Sequence, residues 1–200
     1  MNRESVVQGL KKISAKMDEN KAYLIQLDQQ NGDGDLGISM SEGFKAAADY
    51  AASTDEKDLG KLLMKVGSAF NEAAPSSLGT ILSFGFMGMA KALKGKEEST
   101  VEMFTEALSA GIQKIMDKAG SKTGEKTILD ALCPAVKAME QATDFGEGLK
   151  LAAKAAAEGS ESTKEMRSVH GRAAYYGDQS IGLIDGGSVV GRLIFEALSE

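Results

Sequence analysis

Apolar residues recur every three to four positions along most of the chain, which is the spacing of one face of an α-helix. The first stripe contains Val6, Leu10, Ile13 and Met17 and predicts a helix over about residues 3–27. Further helices are predicted over 39–52, 53–71, 81–93, 99–118, 127–141, 144–157 and 189–198. No segment alternates apolar and polar residues with period two. The pattern therefore predicts one all-α domain of about eight helices over residues 1–200.

Four of these helices are predicted to begin at a capping box, in which an oxygen-bearing side chain stands three positions before a carboxylate. The pairs are Ser53 with Glu56, Ser99 with Glu102, Thr127 with Asp130, and Asp144 with Glu147. Each pair predicts where the chain enters a helix.

Composition changes this picture through its 23 glycines against only 2 prolines. Many of the glycines fall in four segments between predicted helices, over 31–37, 75–80, 120–126 and 171–187. Glycine permits backbone conformations that other residues avoid, so these four loops are the places to look for a functional site.

Charge and cysteine content exclude several classes of protein. The net charge of −6 argues against a general nucleic-acid binder. One cysteine excludes a disulfide framework and fits a reducing compartment. The chain has no apolar run of about 18 residues and its N-terminus does not resemble a secretory signal, so we expect a cytoplasmic protein that is not inserted in a membrane.

The first loop carries three carboxylates, Asp28, Asp33 and Asp35, within eight residues. Carboxylates held together repel unless a cation neutralises them, and hard oxygen ligands suit Mg²⁺. An Asp-rich turn that only caps the next helix is the simpler alternative. A calcium loop is a third hypothesis, with positions 1, 3, 5, 8 and 12 at Asn31, Asp33, Asp35, Ile38 and Glu42, although Leu36 stands where that loop requires glycine.

Two other loops can hold an anion. Ser76, Ser77 and Gly79 precede a helix, where free N–H groups favour phosphate, although an ordinary serine cap has the same sequence. Arg172 is a cation in a glycine-flanked loop and is either a phosphate contact or a surface residue. One histidine, His170, supports no catalytic triad, so we assign no catalytic residue with confidence. Phosphate loops without a nucleophile suggest that the phosphoryl group stays on a bound nucleotide.

These motifs together resemble the nucleotide-binding L subunit of dihydroxyacetone kinase. The resemblance rests on DQQNGDGDLG from Asp28, PSSLGT from Pro75, GEKTILDAL from Gly124 and GRAAYYGDQSIG from Gly171, which stand in the family's order. It covers nearly the whole chain.

The resemblance implies a closed antiparallel barrel of about eight helices, with ADP or ATP and two Mg²⁺ ions in the loops at one end. Asp28, Asp33 and Asp35 match the family's metal ligands. The residues implied to bind the nucleotide are Leu36, Gly37, Ile38, Ser39, Ser76, Ser77, Leu78, Gly79, Gly120, Ile128, Arg172, Asp185, Gly186 and Gly187.

The same resemblance implies a K-type partner subunit that presents dihydroxyacetone or a related small ketose. A phosphotransferase-system phosphocarrier of the M type is a second implied partner, which recharges ADP to ATP; other relatives use free ATP. The chain departs from the family at Leu36, Ser39 and Leu78, where relatives carry other, mostly polar, residues. A catalytically weakened regulatory or interaction module is therefore the alternative function.

Overall fold

The computed structural model describes residues 1–30 and 32–200, and most of that part is helical. Its α-helices are α1 Arg3–Glu19, α2 Lys21–Asp28, α3 Leu36–Ser53, α4 Leu59–Ala73, α5 Ser77–Ala92, α6 Val101–Ala119, α7 Leu129–Met139, α8 Phe145–Ser162 and α9 Gly186–Ser199. Two 3₁₀ segments, Thr163–Glu165 and Arg172–Ser180, lie between α8 and α9. Within the described residues there is no β-strand, only an isolated bridge between Asn2 and Glu98. The prediction of an all-α fold is confirmed.

Eight of the helices close into a ring around an apolar core. α3 to α9 pack in chain order, each against the next, and α1 packs against both α3 and α9. The short α2 lies outside this order, against α3 and α9. Inside the ring Phe44 and Phe70 are almost fully buried, with ring centroids 4.9 Å apart in an edge-to-face pair. The closed helical barrel expected from the resemblance is confirmed.

Glycines let neighbouring helices of this barrel approach each other closely. At the contact between α5 and α6, a Cβ on Gly88 would lie 2.5 Å from the carbonyl oxygen of Ala110 and 2.7 Å from the Cα of Gly111. No side chain fits at that distance, so this glycine in a helix interior serves packing between helices. Not every glycine of the chain therefore belongs to a ligand site.

The predicted helix over residues 3–27 is wrong in one respect, because it is two helices that meet at Asn20. The amide of Asn20 donates to the carbonyl oxygen of Lys16 at 2.8 Å. An asparagine side chain that bonds to nearby backbone competes with the regular helix, and the chain turns there. The apolar stripe continues across the turn, which is why periodicity alone did not reveal it.

Helix starts were predicted with mixed success. The prediction of a cap at Ser53 is wrong: Ser53 ends α3, and the next helix begins after Asp58, whose carboxylate accepts from the N–H groups of Gly60 and Lys61. The α6 cap is Thr100, one residue after the predicted Ser99. Asp144 caps α8 as predicted, accepting from the N–H of Glu147 at 2.9 Å.

The loops that follow α2, α4, α6 and α8 meet at one end of the barrel, where they line a common cavity. We name them the acidic loop (residues 28–35), the serine turn (residues 75–79), the lysine loop (residues 120–128) and the flap (residues 166–184). The flap contains the 3₁₀ segment Arg172–Ser180, which is a little under half of its length. No described helix is both long enough and apolar enough to cross a membrane.

Candidate functional site

The cavity at the loop end has a volume of about 830 Å³, which is in the range of small-molecule sites. All four loops contribute to its lining. The predicted site residues that line it are Asp28, Asp33, Asp35, Leu36, Ser76, Ser77, Leu78, Ile128, Arg172, Asp185, Gly186 and Gly187. Four motifs that are distant in sequence thus meet in one place.

The acidic loop brings its three carboxylates together. Asp28 is the last residue of α2, Asp35 is the residue before α3, and one oxygen each from Asp28, Asp33 and Asp35 lie within 4.8 Å of one another. The backbone N–H of Gly34 donates to Asp28 at 2.8 Å and fixes that side chain in place. All the donors are hard oxygens, so the arrangement fits Mg²⁺ or another hard divalent cation.

Electrostatic repulsion within this cluster is visible in its protonation behaviour. The pKa of Asp35 is raised above its ordinary value by loss of solvent and by the neighbouring charges of Asp33 and Asp28, while Arg172 opposes the shift. A divalent cation between the three carboxylates would remove this repulsion, which is a second reason to expect a metal there.

The calcium-loop hypothesis does not agree with the fold. Helix α3 begins at Leu36, the sixth position of that loop, so Ile38 and Glu42 are already within the helix. Both side chains are exposed. A calcium loop needs a sharp turn at its sixth position, and a helix that begins there does not make that turn. Asn31, the first position of the hypothetical loop, lies outside the described residues.

The serine turn forms the N-terminus of α5. The hydroxyl of Ser76 accepts from the N–H of Gly79 at 3.1 Å and is the cap of the helix. Ser77 and Leu78 are the first two helical residues, and N–H groups at these positions have no acceptor within the helix. Ser76 also donates to Ser39 at 3.3 Å, which ties the turn to α3.

Five predicted nucleotide contacts, Gly37, Ile38, Ser39, Gly79 and Gly120, do not line the cavity. Gly37 packs against Lys21 and Ile25 of α2, and Gly79 packs against Ala74, so in both cases a neighbouring backbone occupies the space of a Cβ. Ile38 is 43% exposed, Ser39 is buried, and Gly120 ends α6 with φ +64°. The glycines at 37 and 79 are required by close packing, and the N–H of Gly79 is already donated to the hydroxyl of Ser76.

Leu36 stands where the resemblance implies a polar residue, and it has a packing role here. Its side chain is buried, and a Cβ on Gly186 would lie 2.7 Å from its Cδ2. Leu36 therefore packs against the start of α9 and joins the acidic loop to that helix.

The lysine loop is organised by a buried carboxylate. Asp130 is 2% exposed, and its two oxygens accept from the N–H of Gly124 at 2.5 Å and of Thr127 at 2.8 Å. The bond to Thr127 is half of the predicted capping box. Helix α7 itself begins at Leu129. Asp130 therefore holds the loop in the conformation that presents Lys126, Thr127 and Ile128 to the cavity.

Two side chains of the flap contact the acidic loop and the lysine loop. Arg172 pairs with Asp33 of the acidic loop, Nη1 to Oδ2 at 2.7 Å. His170 lies 2.6 Å from Glu125 of the lysine loop, and this hydrogen bond lowers the pKa of the Glu125 carboxyl below its ordinary value. Gly171 between them has φ +62°, a conformation that glycine adopts without strain.

Asp185 lies where the flap joins α9. Its carboxylate caps the helix by accepting from the N–H of Ser188 at 2.6 Å. Loss of solvent raises the pKa of Asp185 to about 7, while the bond from Ser188 and the charge of Lys126 oppose the shift. The carboxyl faces the same cavity as the acidic loop.

Sequence reasoning missed several lining residues, among them Lys126, Thr127 and Ser168. Lys126 and Thr127 stand inside the GEKT motif, but nothing in the motif shows that a lysine there is buried. Lys126 also has a positive φ although it is not a glycine, and the sequence gives no sign of this.

Comparison with known proteins agrees with this geometry. The model of a family described as "DAK2 domain" matches residues 30–200. The chain is 29% identical over 199 residues to the ADP-binding subunit DhaL of PEP-dependent dihydroxyacetone kinase 1 of Listeria innocua, covering 100% of this chain and 96% of that one. It is 26% identical over 192 residues to the corresponding Escherichia coli K12 subunit, covering 94% and 91%.

A solved structure shares the fold. The crystal structure of the dihydroxyacetone kinase from C. freundii in complex with AMP-PNP and Mg²⁺ superposes with a TM-score of 0.77 at 23% identity. The match covers 97% of this chain and 33% of that one, so this chain spans about a third of the solved protein.

Proposed function

This chain belongs to the DAK2 domain family, and we propose that it is the Mg²⁺-dependent nucleotide-binding subunit of a dihydroxyacetone-type kinase. The observation that carries the proposal is the meeting of an acidic cluster, a helix N-terminus and a cationic flap around one cavity. These are the three kinds of group that a Mg²⁺–nucleotide complex needs.

The acidic loop is the metal site in this proposal. The resemblance implies that Asp28, Asp33 and Asp35 hold two Mg²⁺ ions. In support, their oxygens lie close together and no softer ligand joins them in the described part of the chain. When bound, the metal ions neutralise phosphate charge and orient the donor for transfer. Asp28 is positioned for this by the N–H of Gly34, and Asp33 by its pairing with Arg172.

Phosphate oxygens meet the serine turn and the flap. The backbone N–H groups of Ser77 and Leu78 open the α5 helix, whose dipole favours an anion. Arg172 lies beside Asp33 at the edge of the same cavity, within reach of a phosphate held by the metal site. The N-terminal turn of α9 at Gly186 and Gly187 offers further N–H groups.

The base of the nucleotide can pack against an apolar surface of the cavity. Ile128 lines the cavity together with Leu78, Ile81, Ile115 and Ile184. Flat heteroaromatic rings bury well against such branched side chains.

The acceptor reaches the site from outside this chain. The cavity holds no group that we assign as a nucleophile or as an acceptor site, so catalysis on this chain is positioning and charge neutralisation. We infer that dihydroxyacetone or a related small ketose is presented by a K-type partner subunit. Relatives named as PEP-dependent subunits support an M-type phosphocarrier as the source of the phosphoryl group, with free ATP as the other source.

The test is phosphoryl transfer to dihydroxyacetone in the presence of a K-type subunit, followed by a coupled assay for the phosphorylated product. ATP and a phosphocarrier system are supplied in separate reactions. We expect transfer that disappears in the double variant Asp33→Ala/Asp35→Ala. The control Asp49→Ala removes an exposed carboxylate of α3 that pairs only with Lys45, and it should leave transfer intact.

A catalytically weakened module is the second candidate, and Leu36 and Leu78 favour it. Both line the cavity with apolar side chains, at positions where the resemblance implies polar ones. Mg²⁺-dependent ADP binding without any transfer to a ketose would support this candidate. Transfer that depends on Asp33 would exclude it.

A further inference from the structure

Lys126 is buried at the base of the flap, with 4% of its surface exposed. Its ammonium donates to three backbone carbonyl oxygens, those of Met166 at 3.1 Å, Ser180 at 2.5 Å and Leu183 at 2.6 Å. An ammonium has three N–H donors, so every donor is used. Burial lowers the pKa of Lys126, and the charge of Asp185 opposes that shift.

The three acceptors lie at both ends of the flap. Met166 is where the flap leaves the first 3₁₀ segment, while Ser180 and Leu183 are where it returns towards α9. One cation therefore joins the two ends of a segment of about sixteen residues that carries Arg172 between them. Compact surface loops of this length have ends that lie close together, and here the closing contact comes from a different loop.

The flap itself makes few contacts between its two ends, residues 166–168 and 180–183, which we call the neck of the flap. The hydroxyl of Ser180 accepts from the N–H of Ser168 at 2.9 Å and donates to the carbonyl oxygen of Gly177 at 2.6 Å. The N–H of Gly182 donates to the carbonyl oxygen of Lys164 at 2.7 Å. These bonds are neutral, and the charged pair of Arg167 with Asp178 at 3.4 Å is exposed to solvent, which weakens it. The bonds from the buried ammonium of Lys126 are charge-assisted and are the stronger kind.

The backbone of Lys126 supports a specific role for this residue. It has φ +60°, the positive φ recorded for a non-glycine residue among the described positions. That conformation costs free energy for a residue with a Cβ, and glycine would adopt it without strain. Lys126 keeps this unfavourable backbone conformation and uses all three of its N–H donors. This indicates that the position requires the lysine side chain.

We propose that Lys126 is a positioning residue that clamps the neck of the flap and thereby holds Arg172 over the bound nucleotide. It acts through the flap and not on the reacting atoms. This inference rests on the proposed function for its effect on nucleotide, but its effect on the flap can be measured without any ligand.

The experiment compares Lys126→Met with wild type in two measurements. Hydrogen exchange of the protein without nucleotide reports protection of residues 166–184. Displacement of a fluorescent ADP analogue in Mg²⁺ reports the dissociation rate. We expect exchange in the flap to rise about tenfold or more, ADP to dissociate about tenfold faster, and exchange in α1 to α8 to stay unchanged.

Three further variants separate the clamp from a general effect on folding. Lys122→Met removes a lysine of the same loop whose side chain is exposed, and it should match wild type in both measurements. Lys126→Arg keeps a cation and should recover much of the lost protection. Lys126→Gly removes the ammonium while relieving the positive φ, so it replaces the methionine variant if that variant does not fold.

The proposal is overturned if Lys126→Met, or the glycine variant in its place, leaves flap exchange and ADP dissociation at the wild-type values. It is also overturned if exchange rises equally in all helices and arginine restores nothing, since Lys126 would then serve only global stability. If wild type binds no ADP, the proposed function fails, and flap exchange alone still decides whether the clamp exists.

Discussion

Replacing Asp130 with alanine should weaken both the barrel and the site, because this side chain organises the lysine loop. Its two oxygens accept from the N–H groups of Gly124 and Thr127. A hydrogen bond to a charged group contributes about 1.5–3 kcal/mol. Gly124 is exposed, so its N–H regains water in the variant, whereas Thr127 is half-buried. We therefore expect Asp130→Ala to cost about 2–4 kcal/mol of the free energy of unfolding.

Thermal and urea unfolding measure this loss directly. For a chain of this size the loss lowers the melting temperature by about 5–15 °C. ADP affinity should fall as well, because Lys126 and Ile128 lose their support. Asp144→Ala is the matched control: that exposed carboxylate accepts one N–H at the start of α8, so its loss should cost about 1 kcal/mol and leave ADP affinity unchanged. The reasoning is refuted if Asp130→Ala melts within about 2 °C of wild type and binds ADP equally well.

Three other substitutions test other parts of the structure. In the folded protein the pKa of Asp185 is about 7, whereas its ordinary value is 3.8. Without ligand, the free energy of unfolding should therefore fall as the pH rises from 3.8 to 7, by up to about 4 kcal/mol. Asp185→Asn keeps an acceptor for Ser188 and should remove that slope from urea unfolding curves. Gly88→Ala should destabilise by about 1–3 kcal/mol through overpacking. At the exposed Gly146 a Cβ would lie 3.3 Å from the flexible side chain of Asp144, so Gly146→Ala should cost less in the same melting assay. Arg172→Gln should raise the Kd for ADP about tenfold by calorimetry, and an unchanged Kd would show that the flap cation does not meet the phosphates.

The fold could be predicted from sequence because its signals are local and repeated. Apolar stripes with helical spacing identify the barrel helices, and Asp144 marks a helix start correctly. The turn at Asn20 was not predicted and the cap at Ser53 was predicted wrongly for one reason: a polar side chain can either cap a helix or bond to the backbone behind it. Only the observed bonds to Lys16 and Tyr50 show which of these occurs.

The site could be predicted only where a residue's chemistry is unusual in its sequence context. Three aspartates in eight residues and an arginine between glycines are such signals, and the structure brings Asp33 and Arg172 into contact. Lys126 gave no signal, because its role depends on three carbonyl groups from 40 to 57 residues further along the chain. The close packing of Gly37 against α2 gave no signal either, since it is set by tertiary structure.

Calorimetric titration of the protein with ADP tests the central claim, that the acidic loop holds a nucleotide through Mg²⁺. We predict binding that requires Mg²⁺, is lost on chelation of the metal, and is at least about a hundredfold weaker in Asp33→Ala/Asp35→Ala. Wild-type protein that binds no ADP in Mg²⁺, or a double variant that binds as tightly as wild type, would contradict it.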